Sequence, residues 1–261
     1  MQALCYHAAV ASLKKIFYAG DSGPSGAASY LLAVLVKLGI TTTHVPPFEK
    51  IDPALFREKY DAFVLSDFPY ANMDLAAERL IMQQVRDGSG LLMIGGWASF
   101  TGASGGWKGS AVEAALPVEC LETDDRRNVA QGLLISARDT HAMFEGFSFV
   151  RSPVLCGINE VRLRRNGKTL LAAKPILQEE DADRKNLRLS LHSQEYPLLV
   201  IDPAGDRRIG AFMTDIAPHW CGGLVDWGPE REMLHVAPGI RVEVGSTYVE
   251  FLSRLIGWLA G

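Results

Sequence analysis

Apolar and polar positions in the first hundred residues alternate between two periods. KKIFYAG (Lys14–Gly20) is a short β-type run closed by a glycine, and Ala27–Leu38 then sets apolar residues around most of a helix that Gly39 stops. THVPP (Thr43–Pro47) reads as a second strand and DAFVLSD (Asp61–Asp67) as a third. LAAERLIMQQVRDG (Leu75–Gly88) predicts a helix with Glu78 and Arg79 facing outward and Gly88 at its end. GLLMIGG (Gly90–Gly96) is apolar throughout, as suits a central parallel strand covered on both faces.

The second half is less regular. SAVEAALPVEC (Ser110–Cys120) looks helical until Pro117. Between Thr123 and Lys174 the pattern is one of β-ribbons, and Asn166-Gly167, between VRLRR and KTLLAA, predicts a hairpin turn. EEDADRK (Glu179–Lys185) reads as a charged surface loop. YPLLVID and RIGAFMTD pair across PAGDR. Tyr248, Phe251, Leu252, Leu255, Ile256 and Leu259 recur at helical spacing and predict an amphipathic closing helix. The order predicts an α/β fold, a doubly wound, mostly parallel sheet with additional β-hairpins in the second half. Residues 15–261 form one domain, and residues 1–14 read as an N-terminal extension.

Composition adds exclusions. A net charge of −4 over 261 residues gives no electrostatic reason to expect nucleic acid or an anionic membrane as partner. No apolar run reaches the length of a membrane span, and no secretory leader is recognisable. Cys5, Cys120, Cys156 and Cys221 form no CxxC pair, so a zinc site is not expected. No cofactor is expected either. Reduced thiols in the cytoplasm fit this usage.

In a doubly wound sheet the ligand crevice lies outside the carboxyl ends of the strands. The candidate contacts there are Asp21, Ser22, Asp67, Trp97, Ser99, Asn159 and Trp220, with His219 and Asp215 as a candidate catalytic pair. A histidine has an unperturbed pKa near 6.5 and suits a general base. Against this, each aspartate placed after a strand also suits a helix cap, and His219 could simply pack on Trp220. Three aspartates with His219 form a weaker candidate for a divalent metal. Trp97 and Trp107 are candidates for an aromatic wall or lid. GxSxG, GxGxxG and GxxxxGK[ST] are absent, which argues against a serine hydrolase or a phosphate loop. Cys221 is the one thiol near the predicted site, in a position awkward for a dyad with His219.

YAGDS, VLSDF, GSGLLMIGGWASFTG, VEAALPVECLETDDRRNV, GINEV, YPLLVIDPAGDRRIGAFMTDIAPHW and the ending GWLAG occur in an order that resembles the putative glutamine amidotransferase family. That family lies within the class I glutamine amidotransferase-like superfamily and is related to ThuA-like proteins. The resemblance covers roughly residues 15–261 and implies a flavodoxin-like fold. It also implies a cysteine at a strand-to-helix elbow and a later histidine and glutamate. The elbow falls on Trp97 or Ala98, neither a nucleophile; His219 matches the histidine approximately, and no glutamate follows it closely. Asn159 joins the candidates because GINEV matches a family segment.

Three readings follow. The chain binds a small polar molecule, without glutaminase activity; or it is a hydrolase-type or metal-assisted enzyme using His219 with an aspartate; or it is an assembly protein, a homo-oligomer whose neighbouring subunit fills the crevice. An enzyme predicts a His219 pKa displaced by an aspartate, and an assembly protein predicts an apolar surface near Trp107 or Trp220.

Overall fold

The computed structural model describes residues 14–180, 186–204, 206–220 and 222–261. Most of the expected N-terminal extension, residues 181–185 of the charged loop and Cys221 lie outside the described residues.

Strands β1 (Lys15–Gly20), β2 (Thr41–Val45), β3 (Ala62–Ser66) and β4 (Gly90–Ile94) alternate with helices α1 (Ser29–Lys37) and α2 (Leu75–Arg86). A five-residue helix α3 (Ala111–Ala115) precedes β5 (Val118–Cys120), β6 (Arg126–Ala137), β7 (Val154–Asn159), β8 (Val161–Leu163), β9 (Lys168–Glu180), β10 (Leu187–Leu191), β11 (Tyr196–Ile201) and β12 (Ile209–Phe212). The chain ends with α4 (Gly222–Val225), the hairpin β13 (Arg231–Ala237) and β14 (Ile240–Gly245), and α5 (Ser246–Ala260). No helix among the described residues is long and apolar enough to cross a membrane.

The main sheet runs β2-β1-β3-β4-β12-β11-β9-β6-β7, with β10 added on β9. From β2 to β12 the strands are parallel; from β12 onward neighbours are antiparallel. This is the expected flavodoxin-like doubly wound sheet, extended by an antiparallel half. β3 and β4 are buried along their whole length because both faces are covered. Ile16, Tyr18, Val64, Leu92 and Phe212 pack with α1 and α5 on one side, and Phe17, Ala19, Phe63, Leu91 and Met93 pack with α2 on the other. The six apolar residues of α5 picked out by helical spacing are all buried.

Three expectations change. Glu78 is buried, not outward: its carboxylate accepts from Tyr70 Oη at 3.0 Å and from the Val112 N–H at 3.1 Å, so it ties α2 to α3. The Asn166-Gly167 turn forms, with the Gly167 N–H on the Arg164 carbonyl at 2.9 Å, but its arms part into different sheets. β8 pairs with β5, to which Arg164 is fastened through the Leu116 and Val118 carbonyls, while β9 pairs with β6 and β11. The helix expected from Ser110 until Pro117 forms over Ala111–Ala115 with Leu116 as its cap, and the chain then enters β5. Trp107 is fully buried, its Nε1–H donating to the Phe68 carbonyl at 2.8 Å, so it forms no wall or lid with Trp97.

Candidate functional site

β1, β3, β4 and β12 are neighbours, so the residues after their carboxyl ends meet on one rim. The strand order reverses between β1 and β3, the position where open α/β sheets leave a crevice. There the Asp21 N–H donates to the Ser66 carbonyl at 3.0 Å. Only glycine fits at position 20, since a Cβ would lie 1.5 Å from that carbonyl oxygen. Asp21 and Asp67 both take left-handed backbone, φ 51° and 49°, a conformation aspartate tolerates better than most residues.

Asp21 is 1% exposed and accepts from Tyr18 Oη through Oδ2, while Oδ1 has no hydrogen-bond partner. Burial pushes its pKa up to about 8, and the charges of Asp215 and Asp67 push the same way. Burial also raises Asp67, which is held by the Ala98 N–H at 2.5 Å and drawn back toward its charged form by His219. Asp215 is buried; its Oδ1 accepts from the Ala217 N–H at 2.7 Å and its Oδ2 lies 3.0 Å from His219 Nδ1. That hydrogen bond raises the His219 pKa above its usual value, and the charges of Asp215, Asp21 and Asp67 add to the effect. His219 is the only cationic side chain among these groups, and its side chain is 53% exposed.

The structure thus gathers Asp21, Asp67, Asp215 and His219. Other candidates turn out to be braces. Ser99 is buried; its hydroxyl donates to the Ile94 carbonyl at 2.5 Å and accepts the Asp67 N–H at 2.9 Å, which leaves no hydrogen for a ligand. Asn159 is also buried: Oδ1 accepts from the Gly96 N–H at 3.0 Å, and Nδ2 donates to the Gly96 carbonyl at 3.1 Å and to Asp125 Oδ1 at 2.7 Å. Ser22 closes the β1–α1 loop, accepting from the Ala27 N–H through Oγ at 2.9 Å. Trp220 packs into the core instead of presenting its face, with Nε1 unpartnered. Trp97 is 54% exposed, and the Arg126 guanidinium lies 4.6 Å from its ring centre.

Asp125 and Tyr18 belong to this rim and carry no periodic signal that singles them out. Asp125 sits in a polar TDDRRN stretch, and Tyr18 looks like one more apolar position of β1. Among the described residues no three His, Cys, Asp or Glu side chains are placed to hold a metal ion, which removes the metal candidate formed by the three aspartates and His219.

After β4 the chain enters a turn-rich segment, not a helix, and the left-handed non-glycine residue there is Phe100 at φ 50°, beyond Trp97 and Ala98. In an elbow of the hydrolytic kind, the N–H after the nucleophile stabilises an oxyanion. Here the Ala98 N–H is taken by the Asp67 carboxylate, which fits close against Gly96, where a Cβ would lie 2.6 Å from Asp67 Oδ1.

A cleft of about 440 Å³ elsewhere is lined by Lys168, Arg207, Arg208 and Trp258. Its cations are committed: Lys168 to Asp139, Arg207 to Asp202, and Arg208 to the Leu259 and Gly88 carbonyls. The strand-end rim, with an unmatched acceptor and a coupled histidine, is the stronger candidate.

The cytoplasmic protein STM3548 from Salmonella typhimurium superposes with a TM-score of 0.59 at 26% identity, over 80% of this chain and 90% of that one. Cytoplasmic protein STM1381 from Salmonella typhimurium LT2 gives 0.59 at 27% identity, over 79% and 90%. No curated protein sequence matches the chain. A family model described as putative glutamine amidotransferase (GATase1-like) matches residues 54–234, a span that includes Asp67, the turn after β4, Asp215 and His219; the chain belongs to that family.

Proposed function

We propose that the protein binds a small polar molecule at the carboxyl ends of β1, β3, β4 and β12, and that it is not a cysteine-dependent glutaminase. The carrying observation is the half-exposed His219, held through Nδ1 by the buried Asp215 and facing Asp67 and Asp21. This arrangement leaves Nε2 to meet a ligand. The glutaminase activity is set aside because Trp97 and Ala98 occupy the elbow and because the Ala98 N–H is committed to Asp67. Kinship with ThuA-like proteins and a cytoplasmic location, the latter as in the names of the two Salmonella relatives, belong to the same reading.

The pair also favours a second reading. A histidine whose pKa is displaced by a hydrogen-bonded aspartate is the usual form of a general base, so proton transfer to or from the bound molecule is its natural chemistry. Trp107 and Trp220 are both buried and so contribute no apolar surface to an assembly role.

Thermal melts against sugars, amino acids and amides test the crevice, run on wild type and on His219→Ala. A ligand at a hundred times its Kd adds about 2.7 kcal/mol of stability. A stabilising ligand whose effect is lost in His219→Ala is the expected result; one indifferent to that change overturns the reading.

A further inference from the structure

We infer that the ligand of the strand-end crevice presents a protonated amine to Asp21 and Asp67. This rests on the crevice reading above and narrows it to one class of molecule.

The donors around the rim are already spent. The Ala98 N–H goes to Asp67, and the Thr101 and Gly102 N–H groups go to Asp125 at 2.8 and 3.0 Å. At the start of α1, where anions often settle, the Ala27 and Ala28 N–H groups are taken by Ser22 and the Ser29 N–H by the Gly26 carbonyl. Arg126, beside Trp97, is paired with Asp124 at 2.6 Å. A phosphate or carboxylate entering here finds His219 as the one cationic donor among these groups, and meets three carboxylates.

The acceptors are not spent. Asp21 Oδ1 is buried with no hydrogen bond of normal length at the point where β1 and β3 diverge, and the Ser66 hydroxyl beside it, itself without one, only weakly favours the charged form. The charges that bear on Asp21 are those of Asp215 and Asp67, so its carboxyl lies within electrostatic reach of both. An ammonium group carries three N–H donors and a positive charge. It would fill the empty acceptor and offset the repulsion among the carboxylates in one step. The charge sits on an organic group, because the described residues offer no trio of metal ligands. In the free protein a proton held by Asp21 serves part of this purpose, and the incoming ammonium displaces it to solvent.

The test uses 1,4-diaminobutane and ethanolamine against 1,4-butanediol, acetate and inorganic phosphate. Thermal melts are combined with calorimetry near pH 7 in two buffers of different ionisation enthalpy. The expected result is stabilisation by the amines alone, proton release on binding, and a Kd raised roughly tenfold or more by Asp67→Asn. If the diol or an anion stabilises the protein in a His219-dependent way while the amines do not, the ammonium inference falls and the crevice reading stands. If the amines act equally on wild type and on both Asp21→Asn and Asp67→Asn, they bind elsewhere, and the inference falls as well. Silence from every probe also overturns it. Should a variant fail to fold, carboxyl NMR titration of wild type decides: diaminobutane must lower the highest-titrating aspartate.

Discussion

Asp21 and Asp125 are both buried aspartates within the same strand-end region, and burial raises the pKa of each. They differ in what surrounds them. Asp125 accepts three N–H donors, from Thr101, Gly102 and Asn159, and those bonds pull its pKa back down. Asp21 has only hydroxyls, Tyr18 and more weakly Ser66, against the charges of Asp215 and Asp67. A buried carboxylate matched by donors is a brace; a buried carboxyl set among like groups is kept at a cost to stability, which the proposed ligand would relieve.

The largest effect that would break this contrast lies at Asp125. Removing its carboxylate in Asp125→Ala orphans three buried donors and should cost about 3–5 kcal/mol in denaturant unfolding. A loss below about 1 kcal/mol would show that water replaces the bonds and that Asp125 is no brace.

Asp21→Asn should move stability the other way. An aspartate whose folded pKa stands above its unfolded value of about 3.9 loses stability as pH rises through that window. Asparagine keeps an acceptor for Tyr18, tolerates φ 51° and carries no charge. The variant should therefore be more stable than wild type at neutral pH, with an advantage that grows between pH 4 and 8 by up to about 1.4 kcal/mol per unit. Unfolding curves at pH 5, 6, 7 and 8 check this, and a constant difference would mean Asp21 is ionised throughout.

His219→Ala gives the smallest change, because the side chain is half-exposed and the ion pair is screened. His219 has a raised folded pKa, so its contribution is fully present below about pH 6.5 and disappears as pH rises through the folded value. The variant should cost under about 1 kcal/mol at pH 6 and less at pH 9. A larger cost at high pH would reverse the sign and remove the Asp215 pairing.

The parallel half was readable in the sequence because its strands are covered on both faces. Phe63 to Leu65 and Leu91 to Ile94 had to be apolar without interruption, and β3 and β4 follow directly. The positions of Asp21, Asp67 and Asp215 were readable for the same reason, since a strand ends where its apolar run ends. Partners were less so. Asn166-Gly167 specifies a turn but not what its arms pair with, and Arg164 decides that through carbonyls far away in sequence. Ser99 and Asn159 looked like ligand contacts because polar residues at a strand end resemble a site whether or not their hydrogen bonds are already used. Glu78 lay on what helical spacing marked as a solvent face, and its contacts with Tyr70 and with α3 explain its burial.

β12 joins the row of parallel strands only after the chain has built the whole antiparallel half. It brings Asp215 and His219, so the rim joins residues from the first and last thirds of the chain. The pairing of β12 with β4 is therefore what sets the third carboxylate and the histidine beside Asp21 and Asp67, and a shift in that one register would undo the site while leaving β1 to β4 paired as they are.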